Sequence, residues 1–132
     1  MAVELNHTIV HSHDSTESAE FWADILGLGP PKTWGPFVMV ESANGVSFDF
    51  LDTPGEVTRQ HYAFLITEQD FDEIFGRIVE RGLEYWADPG GRRQGQINHG
   101  DGGRGVYFFD PSGHALEVLT RPYGSGSDRT AE

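Results

Sequence analysis

The chain has 132 residues, nine Lys and Arg against 21 Asp and Glu, and no cysteine. That length fits one domain, and the absence of cysteine excludes disulfides, thiolate metal sites and a cysteine nucleophile. A net charge of −12 repels nucleic-acid phosphates and anionic membrane surfaces, so neither is an expected partner. No apolar run is long enough to span a membrane and no secretion signal is visible, which predicts a cytoplasmic location.

Two segments carry helix patterns. Asp14, with Glu17 three residues later, is typical of a helix N-terminus, and Gly27 ends the apolar pattern that follows. A second pattern, with its apolar residues on one face, runs from about Glu68 to Arg81 and ends at Gly82. The sequence therefore predicts one helix that begins after Asp14 and another that begins near Glu68.

Strand patterns surround both helices. Asn44-Gly45 and Ser112-Gly113 are typical of tight hairpin turns, and His114, directly after the second turn, is expected to be exposed. The order is strand, helix, strands, and then the same again. The predicted strands are Leu5–His11, Phe37–Glu41, Val46–Leu51, His61–Ile66, Val106–Phe109 and His114–Leu119.

The two halves of the chain resemble each other. The segment from Gly45 to Pro54 aligns with the segment from Gly113 to Pro122, and turn glycine, carboxylate, leucine and proline fall in register. In the same alignment His7 corresponds to His61. A repeat of this kind indicates two copies of one supersecondary unit.

The repeat predicts an α+β domain over residues 1–122, built from two modules. The first module spans about residues 4–55 and the second about 58–122. The Gly-rich stretch 89–105 is long for a loop, and it is either a solvated hairpin extension or a substrate lid. Residues 123–132, rich in Gly, Ser and charge, are predicted to form a flexible tail.

Four strand residues could carry chemistry together: His7, Asp49, His61 and Glu117. Each alone is explained as a hydrogen-bonded strand residue, but a carboxylate between apolar neighbours is costly to bury unless it is paired or bound to metal. Two imidazoles and one carboxylate form a facial triad that leaves metal positions open. Such a site suits Fe(II), with Mn, Ni or Zn also possible.

The chain resembles the vicinal-oxygen-chelate superfamily, also called glyoxalase/bleomycin-resistance/extradiol dioxygenase, and within it the ChaP-like dioxygenases of aromatic-polyketide pathways. The resemblance implies two βαβββ modules that pair into a half-barrel cup around a divalent metal. It also implies a homodimer with shared active sites. The matching stretches are Leu5–Thr8, Phe21–Leu28, His61–Phe64 and Val106–Glu117, the last being the most specific.

The resemblance places the metal ligands on His7, His61 and Glu117. Asp49 falls on a fourth position, where glyoxalase I enzymes have a longer side chain, so a three-ligand Fe(II) site is favoured. The implied function is an extradiol-type dioxygenase of antibiotic biosynthesis, which cleaves or oxidises a catechol-like or polycyclic aromatic substrate with O2. No organic cofactor is implied.

A dioxygenase of this kind needs a base for a phenolic proton. Asp49 is the first candidate, and Tyr107 and His11 are weaker candidates. Two other functions stay open at this point. One is a glyoxalase-like metal-dependent lyase or isomerase, with Asp49 as fourth ligand or proton shuttle, and the other is a metal-free protein that sequesters a planar antibiotic.

Overall fold

A computed structural model of the chain describes residues 2–126, which form two compact units. The first unit runs to Arg59 and includes Asp110–Gly113; the second contains Gln60–Phe109 and the chain from His114 onward. In this part of the chain no helix is long and apolar enough to cross a membrane. The elements are β1 (His7–Ser12), α1 (Ser15–Leu26), β2 (Lys32–Trp34), β3 (Phe37–Glu41), β4 (Ser47–Asp52), β5 (His61–Leu65), α2 (Glu68–Glu80), a 3₁₀ turn (Gly100–Gly102), β6 (Gly105–Phe109) and β7 (Ala115–Leu119).

The first unit contains a four-stranded sheet in the order β1-β4-β3-β2. Strands β1 and β4 run parallel, with His7 opposite Ser47 and Ile9 opposite Asp49. Because paired residues share a face of the sheet, the imidazole of His7 and the carboxylate of Asp49 lie on the same side. The order βαβββ predicted for this module is confirmed.

Helix α1 packs against the other face of this sheet. Its fully buried Trp22 contacts the rings of Phe48 and Phe50, with centroids 5.2 and 5.0 Å away. The predicted helix ends are confirmed, since Asp14 accepts a hydrogen bond from the backbone N–H of Glu17 and Gly27 takes a left-handed conformation. Because the indole ring of Trp22 is buried against one face of the sheet, the opposite face is left for other contacts.

The second unit contains a three-stranded sheet in the order β5-β7-β6. Strands β5 and β7 run parallel, and both Ala63 and Tyr107 lie opposite Glu117. Helix α2 begins after Thr67, whose hydroxyl accepts a hydrogen bond from the N–H of Asp70. The βα part of the repeat is confirmed, but two strands follow this helix instead of three.

Isolated bridges stand where the missing strand of the second module was expected. Trp86 bridges both Gln94 and Tyr107, and Asn98 bridges Gly105. The side chain of Asn98 is buried and donates to the carbonyl of Ala87 at 2.7 Å. These bonds favour the hairpin extension over the substrate lid for residues 89–105.

The ends of the 89–105 stretch are also held. The Asp88 carboxylate accepts hydrogen bonds from the backbone N–H groups of Arg92 and Arg93, and the Arg92 bond lowers the pKa of the Asp88 carboxyl below its usual range. At the other end, the guanidinium of Arg104 lies 2.8 Å from carboxylate oxygens of both Glu68 and Asp72. The segment is thereby tied to the start of α2.

The strand patterns missed one strand, and one expectation about a single residue was wrong. The family resemblance implied a third strand after α1, but no pattern located β2, because its three residues are all exposed and show no burial pattern. His114 is fully buried instead of exposed, since its Nδ1 atom accepts a hydrogen bond from the N–H of Gln60 at 3.0 Å. A turn beside a residue therefore does not by itself place its side chain in water.

Candidate metal site

The parallel pair β5–β7 brings together two of the predicted ligands. The Nε2 atom of His61 lies 3.1 Å from Oε1 of Glu117. The Glu117 side chain is 1% exposed and the His61 side chain is 48% exposed. A buried carboxylate thus faces an imidazole that is open to solvent on its other side.

The hydrogen bond at the opposite end of the ring fixes the imidazole tautomer. The Nδ1 atom of His61 lies 3.0 Å from the carbonyl oxygen of Ala115. A carbonyl oxygen only accepts, so Nδ1 carries the proton, and in the neutral ring Nε2 keeps a lone pair. That lone pair faces the lone pairs of Glu117, an arrangement that requires a shared cation, either a proton or a metal ion.

Tyr123 is a third member of this cluster. Its hydroxyl lies 2.9 and 2.7 Å from the two carboxylate oxygens of Glu117, and 2.8 Å from the hydroxyl of Tyr107. Sequence reasoning missed Tyr123 because it lies in the Gly- and Ser-rich stretch predicted to be a flexible tail. The structure instead bonds residues 123–126 to the second unit, while residues 127–132 of that predicted tail lie outside the described residues. An aromatic residue within such a stretch was the available signal.

Aromatic rings flank Glu117 on the same face of the sheet. The ring of Tyr107 stacks on His61 with centroids 6.0 Å apart. Trp86, which bridges Tyr107, packs edge-on against the partly exposed ring of Phe109 at 5.3 Å. Tyr107 is buried, so the accessible aromatic surface here consists of the partly exposed rings of Trp86 and Phe109, which could contact a flat apolar ligand.

The first unit carries the other predicted site residues on one face of its sheet. The Nδ1 atom of His7 lies 2.8 Å from the side-chain amide oxygen of Asn6. The buried Asp49 accepts a 2.6 Å hydrogen bond from the hydroxyl of Ser47. The first unit therefore presents an imidazole and a buried carboxylate on the same side.

Two further features lie on or beside that face. His11 is on the same face as His7, and its Nδ1 atom is 2.9 Å from the hydroxyl of Thr53. An open groove of about 220 Å³ lies along β3 and the start of β4. Its lining includes Ser47 but none of the predicted ligands; it consists of Gly29, Pro30, Lys32, Met39, Val40, Glu41 and Ser47.

The donor set of the second unit fits a divalent metal. Histidine ligands commonly donate their remaining ring N–H to a carbonyl or carboxylate, as His61 does to Ala115. Within residues 2–126, however, no three potential ligands converge on a single metal position. Of the predicted ligands, this unit thus brings together His61 and Glu117.

A sequence model described as the Glyoxalase/Bleomycin resistance protein/Dioxygenase superfamily matches residues 4–118, so the chain belongs to that superfamily. The solved structure of Oxidase ChaP-H2 is similar, with 65% sequence identity and a TM-score of 0.94, covering 96% of this chain and all of that one. Oxidase ChaP-H1 is also 65% identical, with a TM-score of 0.91, covering 93% of this chain and 99% of its own. The predicted family and its α+β fold are confirmed.

A curated relative is more distant. Glutathione transferase FosA from Serratia marcescens is 29% identical over 124 residues, which cover 89% of this chain and 81% of the relative. The proteins similar to this chain thus include two named as oxidases and one named as a transferase.

Proposed function

We propose that the chain is an oxidase-type enzyme that uses a divalent metal, Fe(II) by preference, to react an aromatic substrate with O2. The observation that carries the proposal is the His61–Glu117 pair, whose Nε2 and Oε1 atoms lie 3.1 Å apart, an arrangement that a shared proton or a bound metal ion accounts for. The likeness to two proteins named as oxidases, each at 65% identity, supports oxidation over the other reactions of the superfamily.

In this proposal His61, Glu117 and His7 are the metal ligands. His7 is supported as third ligand because its Nδ1 atom contacts the side chain of Asn6, as that of His61 contacts a carbonyl, and histidine ligands commonly use such a second hydrogen bond to orient the ring. Two imidazoles and one carboxylate leave positions open, which is the pattern of non-haem Fe(II) oxygenases. We further propose a homodimer in which a second copy takes part in completing the ligand set.

The proposed substrate is catechol-like or polycyclic, of aromatic-polyketide type. The partly exposed rings of Trp86 and Phe109, on the same face of the sheet as Glu117, offer contacts for a flat molecule. Bound Fe(II) would hold neighbouring substrate oxygens and activate O2 towards extradiol-type ring cleavage or oxidation.

Asp49 is the proposed base that takes a phenolic proton from the substrate. The Ser47 hydroxyl holds one carboxylate oxygen on the His7 face, so the carboxylate has a fixed direction for accepting that proton. Tyr107 and His11 remain weaker candidates. The Tyr107 hydroxyl bonds to Tyr123, and the Nδ1 atom of His11 lies 2.9 Å from the hydroxyl of Thr53.

The test is an EPR spectrum of anaerobically Fe(II)-loaded protein exposed to nitric oxide, followed by O2 uptake with aromatic diols. The proposal expects an iron–nitrosyl signal that is lost in His61→Ala and retained in the control His99→Ala, which changes an exposed histidine. Bound metal without this signal would favour the lyase or isomerase. No bound metal would favour the antibiotic-sequestering protein.

A further inference from the structure

Tyr123 is held in place by Asp101, a buried residue with a left-handed backbone. Asp101 is 4% exposed and has a φ of +54°, a conformation that few residues other than glycine, Asn and Asp adopt. Its two carboxylate oxygens accept hydrogen bonds from the backbone N–H groups of Gly124 and Gly126, each 3.1 Å long. The buried carboxylate of Asp101 thereby binds the backbone at Gly124 and Gly126, the first and third residues after Tyr123.

The packing of Gly126 makes this attachment specific. A Cβ atom at Gly126 would come within 2.7 Å of the Cα atom of Asp101, so a larger residue could not fit without displacing the backbone. The N–H of Ser125 also bonds to the carbonyl of Pro122 at 3.1 Å, which closes a turn around Tyr123. The segment from Pro122 to Gly126 is therefore a built part of the second unit.

The hydroxyl groups form a directed chain that ends at Glu117. A tyrosine hydroxyl has one proton to donate, and a carboxylate only accepts. If Tyr123 donates to Glu117, its oxygen accepts from Tyr107, whose hydroxyl lies 2.8 Å away. Hydrogen bonds to an ionised carboxylate are roughly twice as strong as neutral ones, so this bond opposes rotation of the Glu117 side chain.

We propose that Tyr123 is a positioning residue that orients the Glu117 carboxylate towards His61 for metal binding, and that Asp101 sets the place of Tyr123. The inference rests on the proposed function, because it assumes that Glu117 is a metal ligand. Its physical basis is that ligating carboxylates depend on hydrogen bonds to neighbouring groups, whose loss costs about 10–100-fold in metal affinity. Within residues 2–126, the Tyr123 hydroxyl lies within hydrogen-bond distance of both carboxylate oxygens of Glu117.

The experiment is an anaerobic titration of the full chain with Co(II), read by competition with a chelator and by the Co(II) absorption bands. We expect Tyr123→Phe to bind Co(II) about 10–100-fold more weakly and to shift the bands. Asp101→Asn, which tolerates the left-handed backbone but loses one acceptor, should weaken binding in the same direction. The control is Tyr85→Phe, whose ring packs against Phe75 of α2 and which should leave both readouts unchanged.

Thermal unfolding of each variant separates a local effect from a folding defect. If Asp101→Asn loses the fold, Tyr123→Phe alone decides the question, since it removes a single oxygen from a half-exposed side chain. Wild-type affinity and unshifted bands in folded Tyr123→Phe would overturn the positioning role while leaving the metal site intact. Failure of the wild-type chain to bind Co(II) would overturn the proposed function and this inference with it.

Discussion

The Nε2 atom of His61 lies 3.1 Å from Oε1 of Glu117, while the other nitrogen of the same ring is engaged by a backbone carbonyl. Two groups that both offer lone pairs approach each other only through a cation. In residues 2–126 this pair unites two residues that the internal repeat had already singled out. Two residues singled out by the sequence thus form a pair that requires a shared cation. This requirement can be tested by substituting either His61 or Glu117.

Glu117→Gln should abolish retention of metal. The substitution keeps the size of the side chain but removes the charge that faces His61, so the loss should exceed the roughly 10–100-fold cost of losing an outer hydrogen-bond partner. Metal content after gel filtration, measured by mass spectrometry, gives the readout. Glu56→Gln, which changes an exposed carboxylate, is the control. Tight one-to-one metal binding in Glu117→Gln would remove Glu117 from the ligand set.

Asp49→Asn should retain metal and lose turnover. As the proposed base, Asp49 should contribute about 10²–10⁴-fold to kcat, whereas the isosteric amide can still accept the hydrogen bond from Ser47. Metal content and O2 uptake on the same preparation separate the two roles. The control is Glu20→Gln, at an exposed position of α1. Loss of metal would instead make Asp49 a fourth ligand, and unchanged turnover would exclude it as the base.

Trp22→Phe should destabilise the chain by about 2–4 kcal/mol, because it leaves a cavity and removes a buried hydrogen bond to a carboxylate. The indole N–H of Trp22 donates to Oδ2 of the buried Asp110 at 2.9 Å. Urea unfolding followed by circular dichroism provides the free energy. Trp34→Phe is the matched control, since Trp34 is 69% exposed and its change should stay within about 0.5 kcal/mol. Equal losses in the two variants would contradict the packing described for α1.

We expect Asp88→Asn to lower the free energy of unfolding at pH 7 and to have a smaller effect at acid pH. The pKa of the Asp88 carboxyl is lowered in the folded chain, chiefly by the backbone N–H of Arg92. Such a group stabilises the fold above its unfolded pKa, near 3.9, and that contribution is lost as the pH falls through the lower folded pKa. The stability advantage of the wild-type chain over the variant should hold at pH 7 and shrink below about pH 4. Urea unfolding at several pH values measures it, and an advantage that grows towards acid pH would have the wrong sign.

Elements with a repeating burial pattern were predictable from the sequence. Helix α1 shows apolar residues on one face between a cap and a glycine, so its ends followed from local chemistry. Strand β3 was predicted with the bounds that the structure gives. Strand β2 was not, because an exposed edge strand of three residues carries no alternation of apolar and polar positions.

Residues whose role depends on distant backbone groups could not be predicted in this way. His114 is buried because its ring meets the N–H of Gln60, 54 residues away in sequence. Tyr123 reaches Glu117 only because Asp101 bonds to Gly124 and Gly126 across 23 and 25 residues. Composition alone predicts a flexible tail for the stretch that contains Tyr123, because no periodic sequence pattern indicates a hydrogen bond between two loops.

The attachment of Gly124 and Gly126 to Asp101 has a practical consequence for anyone who produces this protein. Because β7 ends at Leu119, a truncation after Pro122 would be a natural choice. The truncated chain would nevertheless lack Tyr123, and Glu117 would lose its hydrogen bond to the tyrosine hydroxyl. An affinity tag fused directly after Tyr123 would put residues with side chains in place of Gly124 and Gly126. At Gly126 even a Cβ atom would meet backbone atoms. Purification handles should therefore be joined beyond Gly126.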